Sequence, residues 1–358
     1  MLTPVLSAYG FSPQACTLAP FGSGLINNTW ELTHQSKRYI LQRINQEVFK
    51  QPEAIAENIS LVADHVSANK DYFFVRPELT TEGRPYFYSS EGDCFRLFPF
   101  VAGSHTIDVV STPGQAYEAA LQFGRFTMRL RKLDTNRLRI TLHGFHNLSL
   151  RYSQFESALK SGHPERLQKA AGLTGYLTGQ HYLVDIYNNI VSDPSFKKRV
   201  THHDTKISNV LFDEHDRGIC VIDLDTVMPG YFISDVGDMM RTYLSPVSEE
   251  EKDTSKISIR DTYFFSIARG YLQEMQGELT KEEKEQFVYA GKFMIYMQAL
   301  RFATDYLNND SYYGARYEGH NLARAENQAI LLERLTAAES RLKEITGEIL
   351  GAPVTHRT

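Results

Sequence analysis

Residues Val200 to Asp225 read VTHHDTKISNVLFDEHDRGICVIDLD. Two short apolar runs, VLF and ICVI, are each bracketed by charged or polar residues. His202 and Asp204 come before the first run, Asn209 enters it, and Asp223 and Asp225 follow the second. Short apolar runs bounded by turn-forming residues read as buried strands. The segment therefore sets carboxylates and an amide at two strand–loop junctions.

That spacing has a chemical use. Asp204, on a loop before a strand, can accept a proton from an attacking hydroxyl. Asn209 offers a neutral oxygen ligand and Asp223 a charged one to a divalent cation on nucleotide phosphates. Phosphoryl transfer needs these parts: a carboxylate that orients the nucleophile, a metal clamp and in-line positioning. Oxygen ligands of this kind favour Mg²⁺. Asp and Asn are also ordinary loop residues, and His202–His203 could be hydrogen-bonded structure only. Four matched positions in a strand–loop–strand context outweigh that plainer reading.

Outward from this segment the chain divides. The first hundred residues carry strand signals in WELTH (30–34), RYILQRI (38–44), RPYFYSS (84–90) and DCFRLFPFV (93–101). Glu91-Gly92-Asp93 is a hairpin-type turn between the last two. Residues 53–69 read as a helix, with Ile55, Ile59, Val62 and Val66 on one face. After Phe98–Ser104 the chain becomes mainly helical, with helices expected over 117–133, 167–190, 259–276, 281–307 and 322–350. The last carries Leu331, Leu335, Ala338, Leu342, Ile345 and Ile349 at alternating steps of four and three. This is a coiled-coil-like seam under three heptads long, and packing against its own lobe is preferred over dimerisation. The expected fold is α+β, with a small antiparallel-sheet N-lobe (1–98), a hinge (99–104) and a larger helical C-lobe (105–358).

Composition excludes several classes. The 358 residues suffice for two lobes with a sizeable core, at 42% hydrophobic and 23% charged residues. A net charge of −5 suggests neither a nucleic-acid nor a membrane-surface partner. The N-terminus does not read as a signal peptide, and no apolar run approaches the roughly 20 residues of a membrane span. Cys16, Cys94 and Cys220 are far apart, without metal-ligand spacing. Sparse, odd-numbered thiols suit a reducing compartment, so a cytoplasmic location is expected, as a monomer or weak homodimer.

HHDTKISN followed by VIDLDT resembles the catalytic and metal-binding loops of the aminoglycoside phosphotransferase and choline kinase superfamily, small-molecule relatives of protein kinases. The resemblance is closer still to bacterial N-acetylhexosamine 1-kinases, through FGSGLINNTW, RYILQRIN, THHDTKISNVLF, VIDLDTVMPG, DVGD, LRFATDYL and YEGHNLARAENQ. These motifs run over nearly the whole chain in the expected order. The resemblance implies a protein kinase-like two-lobe fold using ATP and Mg²⁺. Asp204 matches the catalytic base, Asn209 and Asp223 the magnesium ligands, and His202 a catalytic-loop residue that braces the loop. Asp225 has two open roles: reaching metal or substrate, or capping the following turn. Asp235, in ISDVGD, is expected to stabilise the catalytic loop.

For the nucleotide, the turn Gly22-Ser23-Gly24 lets backbone amides approach phosphates, although a plain hairpin turn explains it equally simply. Pro99 and Phe100 lie where kinase-like folds present backbone groups to adenine. One departure stands out. Many relatives place on the next strand a lysine that contacts phosphates and pairs with a helical glutamate. Gln42 occupies that position here, as in the hexosamine 1-kinase pattern, and Arg43 would face the other side of the sheet. Glu57 is thereby left without its usual partner and is given no catalytic role.

For the acceptor, the resemblance singles out Arg301 and Tyr312 to grip an N-acetylhexosamine and Asn27 to close over it. A guanidinium offers a planar fork to hydroxyls, and a tyrosine stacks and hydrogen-bonds. The plainer alternative for Arg301 is an i,i+4 pair with Asp305, and Tyr312 is one of 20 tyrosines. The expected activity is ATP-dependent phosphorylation of the anomeric hydroxyl of N-acetylglucosamine or N-acetylgalactosamine. The alternatives are another hydroxylated acceptor (choline, homoserine, methylthioribose or an aminoglycoside) or a nucleotide-binding regulator without transfer activity.

Overall fold

The computed structural model describes residues 2–22, 26–69 and 71–351. Helix α1 (Thr3–Ala8) precedes strands β1 (Cys16–Pro20), β2 (Asn28–His34) and β3 (Lys37–Arg43). Helix α2 (Pro52–Val66) and strands β4 (Phe87–Tyr88) and β5 (Cys94–Pro99) follow. The five strands form one antiparallel sheet in the order β1-β2-β3-β5-β4. Gly92, at φ 86°, turns the expected β4–β5 hairpin.

Alternation along the strands assigns the two faces of this sheet. Leu32, Leu41, Phe95 and Leu97 point one way and close a small core with Val5, Leu6 and Tyr9 from the α1 segment. Sequence reading gave α1 no place, because six residues are too few to show a helical period. Gln42 and Arg96, a cross-strand pair, point the other way, toward the helical region. There α2 buries its expected stripe of Ile55, Ile59, Val62 and Val66. That stripe belongs to the same hydrophobic core as the helical region.

Beyond β5 the chain crosses at 100–104 and His105 bridges to Phe212. Helices α3 (Pro113–Arg129), α4 (Leu148–Ser161), α5 (Pro164–Lys169), α6 (Ala171–Gly179) and α7 (Tyr182–Ser192) come first. Four short strands follow: β6 (Arg199–Thr201), β7 (Val210–Phe212), β8 (Gly218–Val221) and β9 (Met228–Gly230). β6 pairs with β9 and β7 with β8, both antiparallel. Helices α8 (Phe232–Tyr243), α9 (Asp261–Met275), α10 (Lys281–Glu285), α11 (Phe287–Leu307), α12 (His320–Ala337) and α13 (Glu339–Gly351) complete the fold. From Asp223 to the start of α8 the chain has only one 3₁₀ turn (Leu224–Thr226) and β9.

The expected antiparallel-sheet N-terminal region and helical C-terminal region are thus present. Three expected helices are subdivided: 167–190 into α5–α7, 281–307 at Gln286, and 322–350 at Ala338. α4 and α8 were not anticipated. α8 does carry a polar stripe, with Asp235, Asp238 and Thr242 on one side and Val236, Met239 and Tyr243 on the other, but sequence reading treats ISDVGD only as a loop-holding motif. The C-terminal seam is internal: Leu331, Leu335 and Leu342 are buried within the lobe's own core, and Ile345 and Ile349 pack against it. Among the described residues no helix is long and apolar enough to cross a membrane.

Candidate active site

The loop after β6 is held from beneath by two carboxylates of α8. Asp235 accepts the His202 and His203 backbone N–H groups at 3.0 and 2.8 Å. Asp238 accepts the Thr205 N–H at 2.8 Å, and the Thr205 hydroxyl donates to the Asp235 carbonyl at 2.7 Å. The Tyr243 hydroxyl donates to the Thr205 carbonyl at 2.6 Å. Asp235 thus holds the loop, as the ISDVGD motif suggested. Burial lifts its carboxyl to about 7, against the pull of the two N–H donors. His203 sits at φ 65° and Asp223 at φ 59°. Left-handed backbone at non-glycine residues costs of the order of 1–3 kcal/mol each and persists only where the surroundings impose it. Here the imposed strain flanks Asp204 on one loop and carries the expected metal ligand on the other.

His202 joins the two loops. Its Nδ1 accepts the Asp204 N–H at 3.3 Å, which makes Nε2 the protonated nitrogen, donating to the Ile222 carbonyl at 2.9 Å. The ring is fully buried, edge-on to Phe123 at 5.2 Å. Burial lowers its pKa, and that of His203 to about 4, so both imidazoles are neutral. His202 is therefore a positioning residue: it braces the loop and does not reach the cleft.

Asp204 is partly accessible, with Lys206 Nζ at 3.2 Å from its carboxylate. Burial works against the Lys206 charge, but Asp204 and Asp238 outweigh it and hold the ammonium above its ordinary range. The Asn209 amide nitrogen donates to the Asp204 carbonyl at 2.9 Å, so its side-chain oxygen is the free end. Asp223 opens onto the space between the sheet and the helical region. Its carboxylate makes no hydrogen bond among the described residues, and desolvation, Asp225 and Asp204 together lift it to about 7. An all-oxygen donor set with crowded, unpartnered carboxylate charge is what a hard divalent cation neutralises, so Asn209 and Asp223 fit magnesium.

Asp225 is buried, and its open role is resolved in part by its partners. It forms an ion pair with the buried Arg96 and accepts the Asn27 amide N–H at 2.8 Å. Asn27 also accepts the Asn45 N–H at 2.9 Å, so both ends of its side chain are engaged within the protein. Arg96 Nε donates to Gln42 Oε1 at 2.9 Å. Arg43 lies apart from this group, bonded to Asn28 and paired with Asp93.

Of the nucleotide candidates, Gly22 is described, at φ 77° with open space where a Cβ would stand; Ser23 and Gly24 lie outside the described residues. Pro99 ends β5. The Phe100 N–H donates to the Arg38 carbonyl at 3.0 Å, and its ring lies under the Arg38 guanidinium at 3.7 Å. That amide is already used by the sheet and is not free for a base. Glu57 is exposed and faces Arg139 at 3.5 Å.

Arg301 and Tyr312 come together on the rim of a cleft of about 380 Å³, with Arg151, Gln154 and Tyr313 also lining it. The expected alternative pairing of Arg301 with Asp305 does not form. Asp305 instead accepts the Tyr312 and Tyr313 backbone N–H groups at 2.7 and 2.9 Å. The Arg301 guanidinium donates to Gln298 at 3.1 Å and lies 5.7 Å from the Phe145 ring centroid. Phe145 stacks on His146 at 4.4 Å, and His146 faces His203 at 5.2 Å. A relay of rings thus runs from this cleft to His203, next to Asp204.

Sequence reading missed Lys206, Asp238 and Arg96. Lys206 stands inside the quoted HHDTKISN motif, and Arg96 is the sole charged residue within the run CFRLFPFV. A charge inside an otherwise apolar strand was the available signal.

The fold recurs in solved structures. An aminopropanol kinase associated with a microcompartment matches at TM-score 0.64 and 16% identity, covering 95% of this chain and 97% of that one. Amicoumacin kinase hAmiN, in complex with AMP-PNP, Ca²⁺ and Ami, matches at 0.60 and 15%, covering 99% and 93%. Choline kinase from Cryptosporidium parvum matches at 0.55 and 10%, covering 95% of each. At these identities the likeness is one of fold. The family model described as the phosphotransferase enzyme family matches residues 17–257, a span running from β1 through the Asp204 and Asp223 loops to the far side of α8. The chain is a member of the phosphotransferase enzyme family.

Proposed function

We propose that the protein transfers the γ-phosphoryl group of ATP to the anomeric hydroxyl of N-acetylglucosamine or N-acetylgalactosamine, giving the sugar 1-phosphate and ADP. The observation that carries the reading is the convergence of Asp204, Asn209 and Asp223 from two loops that His202 bolts together. In this reading the sheet (1–98) and the connector (99–104) hold the nucleotide, and residues 105–358 supply the chemistry and the acceptor site.

Asp204 accepts the proton of the C1 hydroxyl as its oxygen attacks the γ-phosphorus and the bond to the bridging oxygen of ADP breaks. Lys206 Nζ, at 3.2 Å, pairs with the Asp204 carboxylate and fixes its orientation. Asn209 and Asp223 would hold magnesium, which supplies charge neutralisation on the phosphates.

The acceptor assignment rests on charge. The 380 Å³ cleft falls within the usual range of small-molecule sites, about 300–1,000 Å³. It carries two arginines, Arg151 and Arg301, and its one carboxylate, Asp305, is already satisfied by backbone donors. Such a lining suits a neutral polyol with an acetamido carbonyl and repels a cationic acceptor such as choline or an aminoglycoside.

The deciding experiment is magnesium-dependent ADP release over N-acetylglucosamine, N-acetylgalactosamine, glucose, galactose, choline, homoserine and kanamycin, with the phosphorylated position fixed by phosphorus NMR. An N-acetylhexosamine 1-phosphate product is expected. Turnover confined to another acceptor would discard the sugar and keep the Asp204 chemistry. ATP binding with no acceptor-dependent release would favour a regulator.

A further inference from the structure

The position expected to carry a lysine holds Gln42, and its surroundings account for the missing charge. Gln42 and Arg96 are directly opposite on β3 and β5 and share the sheet face turned toward Asp223 and Asp225. Arg96 Nε–H donates to Gln42 Oε1, which fixes the amide and turns its NH₂ group, the donor a phosphate needs, away from Arg96. Among the described residues that group makes a single long contact of 3.4 Å, to Thr29 Oγ1 on β2.

Arg96 is only 4% exposed, and its guanidinium reaches Asp225, two residues beyond the magnesium ligand Asp223. Arg43 is bonded to Asn28 and paired with Asp93, and Lys206 is paired with Asp204, so among the described residues Arg96 is the cation bonded to Gln42. The helix glutamate that would partner a strand lysine is also displaced, since Glu57 lies at the surface beside Arg139. A buried ion pair is weak support for stability compared with apolar packing of the same volume. Its retention at the junction of the sheet and the metal loop calls for another role.

We propose that Arg96 is the cation of the nucleotide site, a positioning residue that aims Gln42 Nε2 at the triphosphate and is itself anchored by Asp225. The ion pair that relatives build between strand and helix is here built between strand β5 and the loop after β8. This inference rests on the kinase reading above.

The test is calorimetry of Mg·AMP-PNP and, separately, of adenosine binding to the full chain. Wild-type protein that binds no Mg·AMP-PNP overturns the kinase reading, and this inference with it, before any variant is compared. Given wild-type binding, Arg96→Met is expected to weaken Mg·AMP-PNP by roughly tenfold to a hundredfold and to leave adenosine unchanged. Arg96→Lys should recover part of the loss, and Gln42→Lys in the Arg96→Met background most of it. Should Arg96→Met fail to fold because Asp225 is left unpaired, Arg96→Met/Asp225→Asn removes both charges and is compared with Asp225→Asn alone. Unchanged Mg·AMP-PNP affinity in a folded variant overturns the proposal. So does an equal loss for Mg·AMP-PNP and adenosine, which would mark Arg96 as structural only.

Discussion

The side-chain amide of Asn58, at the centre of α2, donates to the Val227 carbonyl at 2.9 Å and to the Arg139 carbonyl at 2.8 Å. Its oxygen accepts the Arg139 N–H at 2.8 Å, and the residue is 1% exposed. One buried amide thus ties the helix above the sheet to the segment that follows Asp223. Replacing it by alanine strands backbone groups in the interior, at a cost of about 1–3 kcal/mol for each one left unsatisfied. Asn58→Ala is expected to lower the urea midpoint and, by loosening the Asp223 loop, to raise the KM for nucleotide. An unchanged midpoint would show that water replaces the amide.

Asp204→Asn removes the proton acceptor while keeping the side-chain shape. A roughly 10²- to 10⁴-fold fall in kcat is expected, with an unaltered circular dichroism spectrum and thermal midpoint. Turnover within a few-fold of wild type would remove Asp204 from the chemistry.

Gly237 lies between the two loop-holding carboxylates of α8. A Cβ there would stand 2.2 Å from the Ala290 carbonyl oxygen of α11 and 2.9 Å from Met294 Cβ. Neither backbone can yield cheaply, so Gly237→Ala should destabilise by about 1–3 kcal/mol. Because α8 must shift to make room, Asp235 and Asp238 move with it. Turnover of the folded fraction should fall as well, which a substitution felt only by the core would not cause.

The buried histidines weaken the fold in acid. Burial holds His203 at about 4, against an ordinary 6.5, and lowers His202 and His146 also. Between those values the unfolded chain binds a proton that the folded chain refuses, so the histidine contribution to stability rises with pH across this window, while the raised carboxyls of Asp235 and Asp223 act in the opposite direction. His203 contributes stability that is complete above about pH 6.5 and lost toward pH 4, at most about 3 kcal/mol. His203→Asn, chosen because asparagine tolerates the left-handed backbone, should flatten the urea midpoint against pH between 4 and 6.5. A profile as steep as wild type would place the acid sensitivity elsewhere.

Arg301→Met tests the acceptor cleft. The loss of a charged donor to a neutral acceptor is worth about 1.5–3 kcal/mol, so the acceptor KM should rise roughly tenfold or more while the nucleotide KM stays fixed. An effect on nucleotide alone would relocate the acceptor.

What the sequence disclosed, it disclosed through local pattern. Strand alternation, the α2 stripe, the Glu91–Asp93 turn and the spacing from His202 to Asp223 are all short-range, and each has its counterpart in the structure. What escaped was set by long-range packing. The coupling of Arg96 to Asp225 joins residues more than a hundred positions apart. No spacing rule foretells that the Phe100 amide is spent on Arg38, or that Asn27 turns to Asp225. The Arg301–Asp305 pairing fails because Asp305 is drawn off by the Tyr312 and Tyr313 amides, a turn that side-chain spacing does not encode.

The stretch from Asp223 to α8 is short, and its fate is fixed by β9 pairing with β6. Protein kinases lodge a long segment at this point, and its phosphorylation decides whether the catalytic parts assemble. Here that segment is reduced to a turn and three paired residues, and α2 is fastened to it through Asn58. A phosphate added between Asp223 and α8 would therefore find no long segment to order, and would meet a strand already paired and a helix already fastened.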